Sequence, residues 1–150
     1  MNASVAINAY SNVGMESSVA GASPHKLISM LYDGALLAIS NAKMHLELGN
    51  TAARGASISH AIAIINDGLK VGINFEAGGE LAQNLWALYE YMTYRLVQAN
   101  LKADRLALDE VAGLLKDIQG AWDAIGNLSL VKPSVPDAVA PRVAASYGKA

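Results

Sequence analysis

The side chains able to do chemistry are few and scattered. His25, His45 and His60 are the three imidazoles, and the chain has no cysteine. Thiolate nucleophiles, cysteine zinc sites and disulfide frameworks are thereby excluded. A di-metal centre inside a helical bundle needs Glu-x-x-His pairs on facing helices, and no such pair occurs. No serine or histidine lies in a nucleophile motif, and no glycine-rich phosphate loop follows a strand. Gly68 and Gly72 have a four-residue spacing that favours close helix packing. The enzyme-like alternative is a histidine phosphotransfer bundle, which needs one exposed mid-helix imidazole. His60 is its best candidate, but Ala61-Ile62-Ala63 supply no basic residue to receive a phosphate. The expectation is a non-enzyme with no metal and no cofactor.

The chemistry that the chain does carry is apolar. Of its residues 53% are hydrophobic and only 16% charged, with a mean hydropathy of +0.25. Soluble domains average about 25% charged residues. The net charge of -2 offers no basic footprint for nucleic acid or an anionic membrane surface. No apolar run approaches the ~20 residues that span a bilayer, so no membrane insertion is expected. The segment before Lys26 contains neither a basic residue nor a long apolar stretch, and does not read as a secretory signal. A chain this apolar either buries unusually well or keeps apolar surface for a partner.

Stepping by 100° per residue separates core stripes from a surplus. Met30, Leu37, Met44 and Leu48 cluster away from the stripe of the first helix. Ile64, Val71 and Phe75 do so on the second. Trp86 and Val97 lie off the stripe of the third, flanked by Ala82 and Thr93. Each helix of a bundle touches two neighbours, so a broad stripe alone can explain one such set. Three sets with so little charge predict an exposed groove. Methionine suits such a surface, because its flexible thioether adapts to irregular partners.

Four helices must hold these side chains. Ser23-Pro24 is a helix start: serine caps the first turn and proline gives up an N–H that lacks a partner there. The first helix is expected over Pro24–Leu48, stopped by Gly49. The second begins within Asn50–Ala53 and runs to about Phe75. Gly78-Gly79 turn the chain, a third helix follows from about Glu80 to Lys102, and Asp104 caps a fourth to about Leu128. The core stripes are Ile28, Tyr32, Ala35, Ile39, Ala42 and Leu46; Ile58, Ile62, Ile65, Leu69 and Ile73; Leu81, Leu85, Leu88, Met92, Leu96 and Ala99; and Val111, Leu115, Ile118, Trp122 and Ile125. Short turns between long helices predict an all-α, antiparallel four-helix bundle over residues 23–128. Residues 1–22 read as a flexible N-terminal arm. Residues 129–150, with Pro133, Pro136 and Pro141, read as a disordered tail.

The blocks along this frame resemble one family. Ala22-Ser23-Pro24, Leu27-Ile28 and Met30-Leu31-Tyr32-Asp33-Gly34-Ala35 are similar to the opening helix of flagellar secretion chaperones of the FliS type. Ala61 to Leu69 resembles the family's second helix. Gly78 to Leu85 with Leu88 to Met92 resembles its third, and Glu110 to Leu115 with Ala121-Trp122 its fourth. The four blocks fall in the family's order and spacing, from about Ile7 to Trp122. The resemblance implies a protein of the bacterial cytosol that binds the disordered C-terminal region of flagellin. It implies that this binding prevents premature polymerisation and assists delivery to the flagellar type III export gate. The off-stripe residues Met30, Leu37, Met44, Ile64, Val71, Phe75, Trp86 and Val97 are the candidates for contact with flagellin.

The arm carries one further signal. Ile7 and Tyr10 are large apolar groups in a small, polar segment. A short arm with two anchors makes a docking peptide. The plain alternative is that both fold back onto the bundle; Tyr10 matches the position of the family's N-terminal tyrosine, and the pair is expected either to dock on the export gate or to cover the flagellin groove.

Overall fold

The computed structural model describes Gly21 and residues 23–131, with residues 126–131 described by backbone alone. The helices are α1 (Pro24–Leu48), α2 (Thr51–Ile64), α3 (Phe75–Lys102) and α4 (Arg105–Val131). Among the described residues there is no strand. The fold is the expected all-α four-helix bundle. Ile7 and Tyr10, with most of the arm and tail, lie outside the described residues.

Local chemistry sets the helix ends. The Ser23 side chain accepts from the Lys26 N–H at 3.1 Å, with Pro24 opening α1. Gly49 ends α1 in the left-handed region at φ 74°, a conformation that costs glycine little. Its N–H donates to the Leu46 carbonyl, and that of Asn50 donates to His45. Asn50 also opens α2, its Oδ1 accepting from the Ala53 N–H at 3.2 Å. Asp104 caps α4 through Leu106 and Ala107, as expected.

The second helix ends earlier than its periodicity predicts. α2 passes into a π-helical turn over Ile65–Leu69 and a 3-10 turn over Lys70–Gly72. Ile73 is extended, and the Asn74 side chain accepts from the Ala77 N–H at 3.0 Å. Phe75 therefore opens α3 instead of closing α2. At the Gly78-Gly79 pair the chain does turn: Gly79 adopts φ 53° and ψ -127°, so one helical turn over residues 75–78 precedes the long run of α3 that begins at about Glu80, as expected. Leu81, expected in the core, is 74% exposed on the first turn after this break, and Ala82 takes the buried place.

Polar pairs record the antiparallel run of neighbours. Lys43 on α1 meets Asp109 on α4 at 2.9 Å, and Glu47 pairs with Arg105. Towards the other end of the same seam, Gln119 donates to Asp33 at 2.7 Å. Arg54 and Asn100 join α2 to α3, while Arg95 and Glu110 join α3 to α4. Between these seams lies a core rich in small side chains: Ala35, Ala38, Ala42, Ala61, Ala99 and Ala107 are all buried. Small residues let helix axes approach closely. Tyr32 and Tyr89 meet inside this core, hydroxyl to hydroxyl.

The chain divides into two compact units, Met1–Gln119 and Gly120–Ala150. The described part of the second unit is the C-terminal stretch of α4. In it Trp122 is half-buried, and Ile125, expected in the core, is exposed.

Candidate functional site

Among the described residues, large apolar side chains face outward on several helices, and three groups of them stand out. On α1, Leu37, Met44 and Leu48 share one exposed face. On α3, Tyr94, Val97 and Leu101 form a second. The third is built where the turn after α2 meets the start of α3, and it is the best-defined of the three. Trp86 is 37% exposed there, with Phe75 tilted against it at 5.6 Å between ring centroids. The Lys70 ammonium lies 4.3 Å from the centre of the Trp86 ring and pairs with Glu90. Val71, beside Lys70, is exposed.

The Trp86 cluster has a clear physical reason. A cation over an indole face is attracted by the ring quadrupole. Glu90 lies one helical turn beyond Trp86 and holds Lys70 in place. The ring thus carries a cation over its face and Phe75 tilted against it.

Six of the eight bundle residues expected at the surface are exposed: Leu37, Met44, Val71, Phe75, Trp86 and Val97. Met30 and Ile64 are not. Each is 2% exposed, and both belong to the core. The π-helical turn packs against α1, and Gly72 comes close to Ile28, so the N-terminal end of α1 is covered over a wide arc. Met30 and Leu31 are buried together there. Ile64 sits just before the π turn on a helix flanked by both α1 and α3, and needs the broad stripe of a helix with two neighbours. Stepping at a uniform 100° cannot register this widening.

Tyr94, Leu101 and Leu106 were not anticipated. Continuing the Trp86–Val97 arc along the helix would have reached Leu101. The same arithmetic gives no warning of the polar network beside it. Tyr91 donates to Glu110 at 2.5 Å and Arg95 donates to it at 2.8 Å. Gln98 accepts from Arg95 and donates to the Tyr94 hydroxyl. The Tyr91 hydroxyl, and then the Arg95 guanidinium, hold the Glu110 carboxyl below the usual carboxylate range. The hydrogen bond to Glu110 pushes the Tyr91 phenol up. Burial, reinforced by Tyr32, pushes the Tyr89 phenol well above its ordinary value.

The histidines do not assemble a centre. His25 and His60 are half-buried on different helices, and His45 stands near the end of α1. Among the described residues no group of three His, Asp or Glu side chains is placed to hold a metal ion. Nor is any described helix long and apolar enough to cross a membrane. The arrangement suits the binding of an extended or helical apolar segment.

Residues 6–129 match the family model of flagellar protein FliS. The flagellar secretion chaperone FliS of Salmonella typhimurium is 52% identical over 119 residues, spanning 79% of this chain and 88% of that protein. The flagellar secretion chaperone FliS of Escherichia coli is 43% identical over 135 residues, spanning 90% and 96%. That of Bacillus subtilis is 35% identical over 107 residues, spanning 71% and 78%.

Proposed function

The chain belongs to the FliS family of flagellar secretion chaperones, and from that premise we propose that its client is the disordered C-terminal region of flagellin. FliS is a family of chaperones and not of enzymes, so the phosphotransfer alternative centred on His60 falls away. In this reading the protein acts in the bacterial cytosol. It holds flagellin unpolymerised and assists its delivery to the flagellar type III export gate.

One observation carries the reading: large apolar side chains stand exposed on several faces of a chain with a well-packed core. The proposed flagellin surface comprises Leu37 and Met44 on α1, Val71 and Phe75 around the turn after α2, and Trp86 and Val97 on α3. An extended client that folds onto several faces buries much apolar area, yet loses part of the gain to its own ordering. The balance gives a complex that protects and can still release. No nucleotide is needed for such a cycle. Ile7 and Tyr10 are proposed either to dock on the export gate or to cover the flagellin surface until the client arrives.

Calorimetry with a flagellin C-terminal peptide tests the reading. The expected result is saturable binding with a negative heat-capacity change. Absence of binding would reject it.

A further inference from the structure

The N-terminal turn of α3 is built differently from the rest of the bundle. Phe75–Gly78 is a single helical turn set off from α3 by Gly79. It is held by the Asn74 cap, by the Gly78 N–H donating to the Asn74 carbonyl at 2.9 Å, and by the Phe75 ring on Trp86. Phe75 remains 45% exposed even in this contact.

The two glycines do different things. Gly79 sits at φ 53° and ψ -127°, a combination that residues with a Cβ rarely adopt, and nothing lies within 4 Å of where its Cβ would be. It has the freedom and the room of a hinge. A Cβ on Gly78 would lie 2.7 Å from the Ala82 Cβ. The seated position of the turn therefore requires glycine there.

We propose that the Phe75–Gly78 turn is a hinged cover for Trp86, and that an apolar side chain of the client replaces Phe75 when the turn swings about Gly79. The inference rests on the client-binding reading above but moves Phe75 from client contact to cover, adding a regulation of that surface. Lys70, paired with Glu90, stays over a face of the indole while the ring's apolar contact changes partner. A seated Phe75 shields Trp86 from other apolar chains, and its own exposure makes it easy to displace. A client must then offer a side chain that outcompetes a phenylalanine already in position.

The test uses the full chain carrying Trp122→Phe, which leaves Trp86 as the one tryptophan. Two further changes are made separately: Phe75→Ala removes the cover, and Gly78→Ala unseats it with the ring still present. Phe75→Leu keeps an apolar side chain without the aromatic contact and guards against loss of folding, which circular dichroism monitors. With the dye anilinonaphthalene sulfonate and no client, both uncovering changes should raise energy transfer from Trp86 to bound dye. With flagellin C-terminal peptide, a cover closed for about nine-tenths of the time weakens apparent affinity about tenfold, so both changes should tighten binding by that order. Phe75→Leu should fall between wild type and Phe75→Ala in both assays. Weaker or unchanged peptide binding in Phe75→Ala overturns the cover. If the wild-type chain binds no peptide, the client reading fails, and unchanged dye transfer in both variants rejects the cover independently.

Discussion

Tyr32 of α1 and Tyr89 of α3 share a hydrogen bond of 2.6 Å between their hydroxyls, buried inside an otherwise apolar core. The bond ties α1 to α3 across the core. A buried hydroxyl left without a partner costs about 1–3 kcal/mol, whereas removing both partners together is nearly neutral. Tyr32→Phe, which takes away the hydrogen-bond partner of the buried Tyr89 hydroxyl, should therefore lower stability by about that amount. Adding Tyr89→Phe should recover most of the loss, as urea unfolding would show.

The same pair predicts behaviour in alkali. The folded-state pKa of Tyr89 lies above its unfolded value, so folding favours the protonated phenol. Its contribution is fully present below the unfolded pKa of about 10 and is lost as pH rises beyond it. Tyrosinate absorbance followed alongside circular dichroism should show Tyr89 ionising only as the helices melt. Ionisation in a fully folded bundle would contradict the burial.

Glu110 acts at the other end of the scale. Its folded pKa is depressed by Tyr91 and Arg95, so its contribution is present above the unfolded carboxyl value and lost as pH falls through the folded one. The groups are solvent-accessible, and the effect is expected to be small. Glu110→Gln should lower stability slightly at neutral pH and flatten the acid limb, the two profiles converging as pH falls through the folded pKa. Acid titration of the melting temperature for both proteins decides it.

The apolar surface separates from the core by mutation. Trp86→Asp and Val71→Asp should weaken binding of flagellin peptide while helicity and melting temperature stay near wild type. Ile64→Asp should unfold the bundle, because a charge at a buried position costs several kcal/mol. Unfolding of the Trp86 and Val71 variants would place those side chains in the core and remove them from the client surface.

The arm is tested apart from the bundle. Ile7→Ala with Tyr10→Ala should preserve flagellin binding and reduce secretion if the arm docks on the export gate. If the arm covers the flagellin surface, the double change should tighten binding instead. Wild-type secretion together with wild-type affinity would leave the arm without either role.

Much of this molecule could be read from its residue order, because its caps and stops are local. Ser23-Pro24, Gly49 and Asp104 fix helix boundaries through hydrogen bonds within a few residues, and those boundaries fell where expected. What escaped is non-local or depends on helix type. The π-helical turn at Ile65–Leu69 has no short-range signature, so the end of the second helix and the burial of Ile64 were misjudged. Met30 went wrong because the N-terminal end of α1 is covered by the turn after α2, distant in the chain. The Trp86 cluster was half visible: Trp86, Phe75 and Val71 stood out as apolar surplus. Lys70 and Glu90, 20 positions apart, meet only once α2 and α3 pair.

The π-helical turn also bears on how the chain tolerates changes in length. Elsewhere in a helix, losing one residue rotates everything beyond it by about 100°, turning core positions outward. A π turn holds one residue more than the α-helical ladder requires. Removing the exposed Asp67 would convert Ile65–Leu69 to ordinary α-helix and leave the flanking turns in phase. Within the second helix, this is a point where one codon could be lost without scrambling the faces on either side.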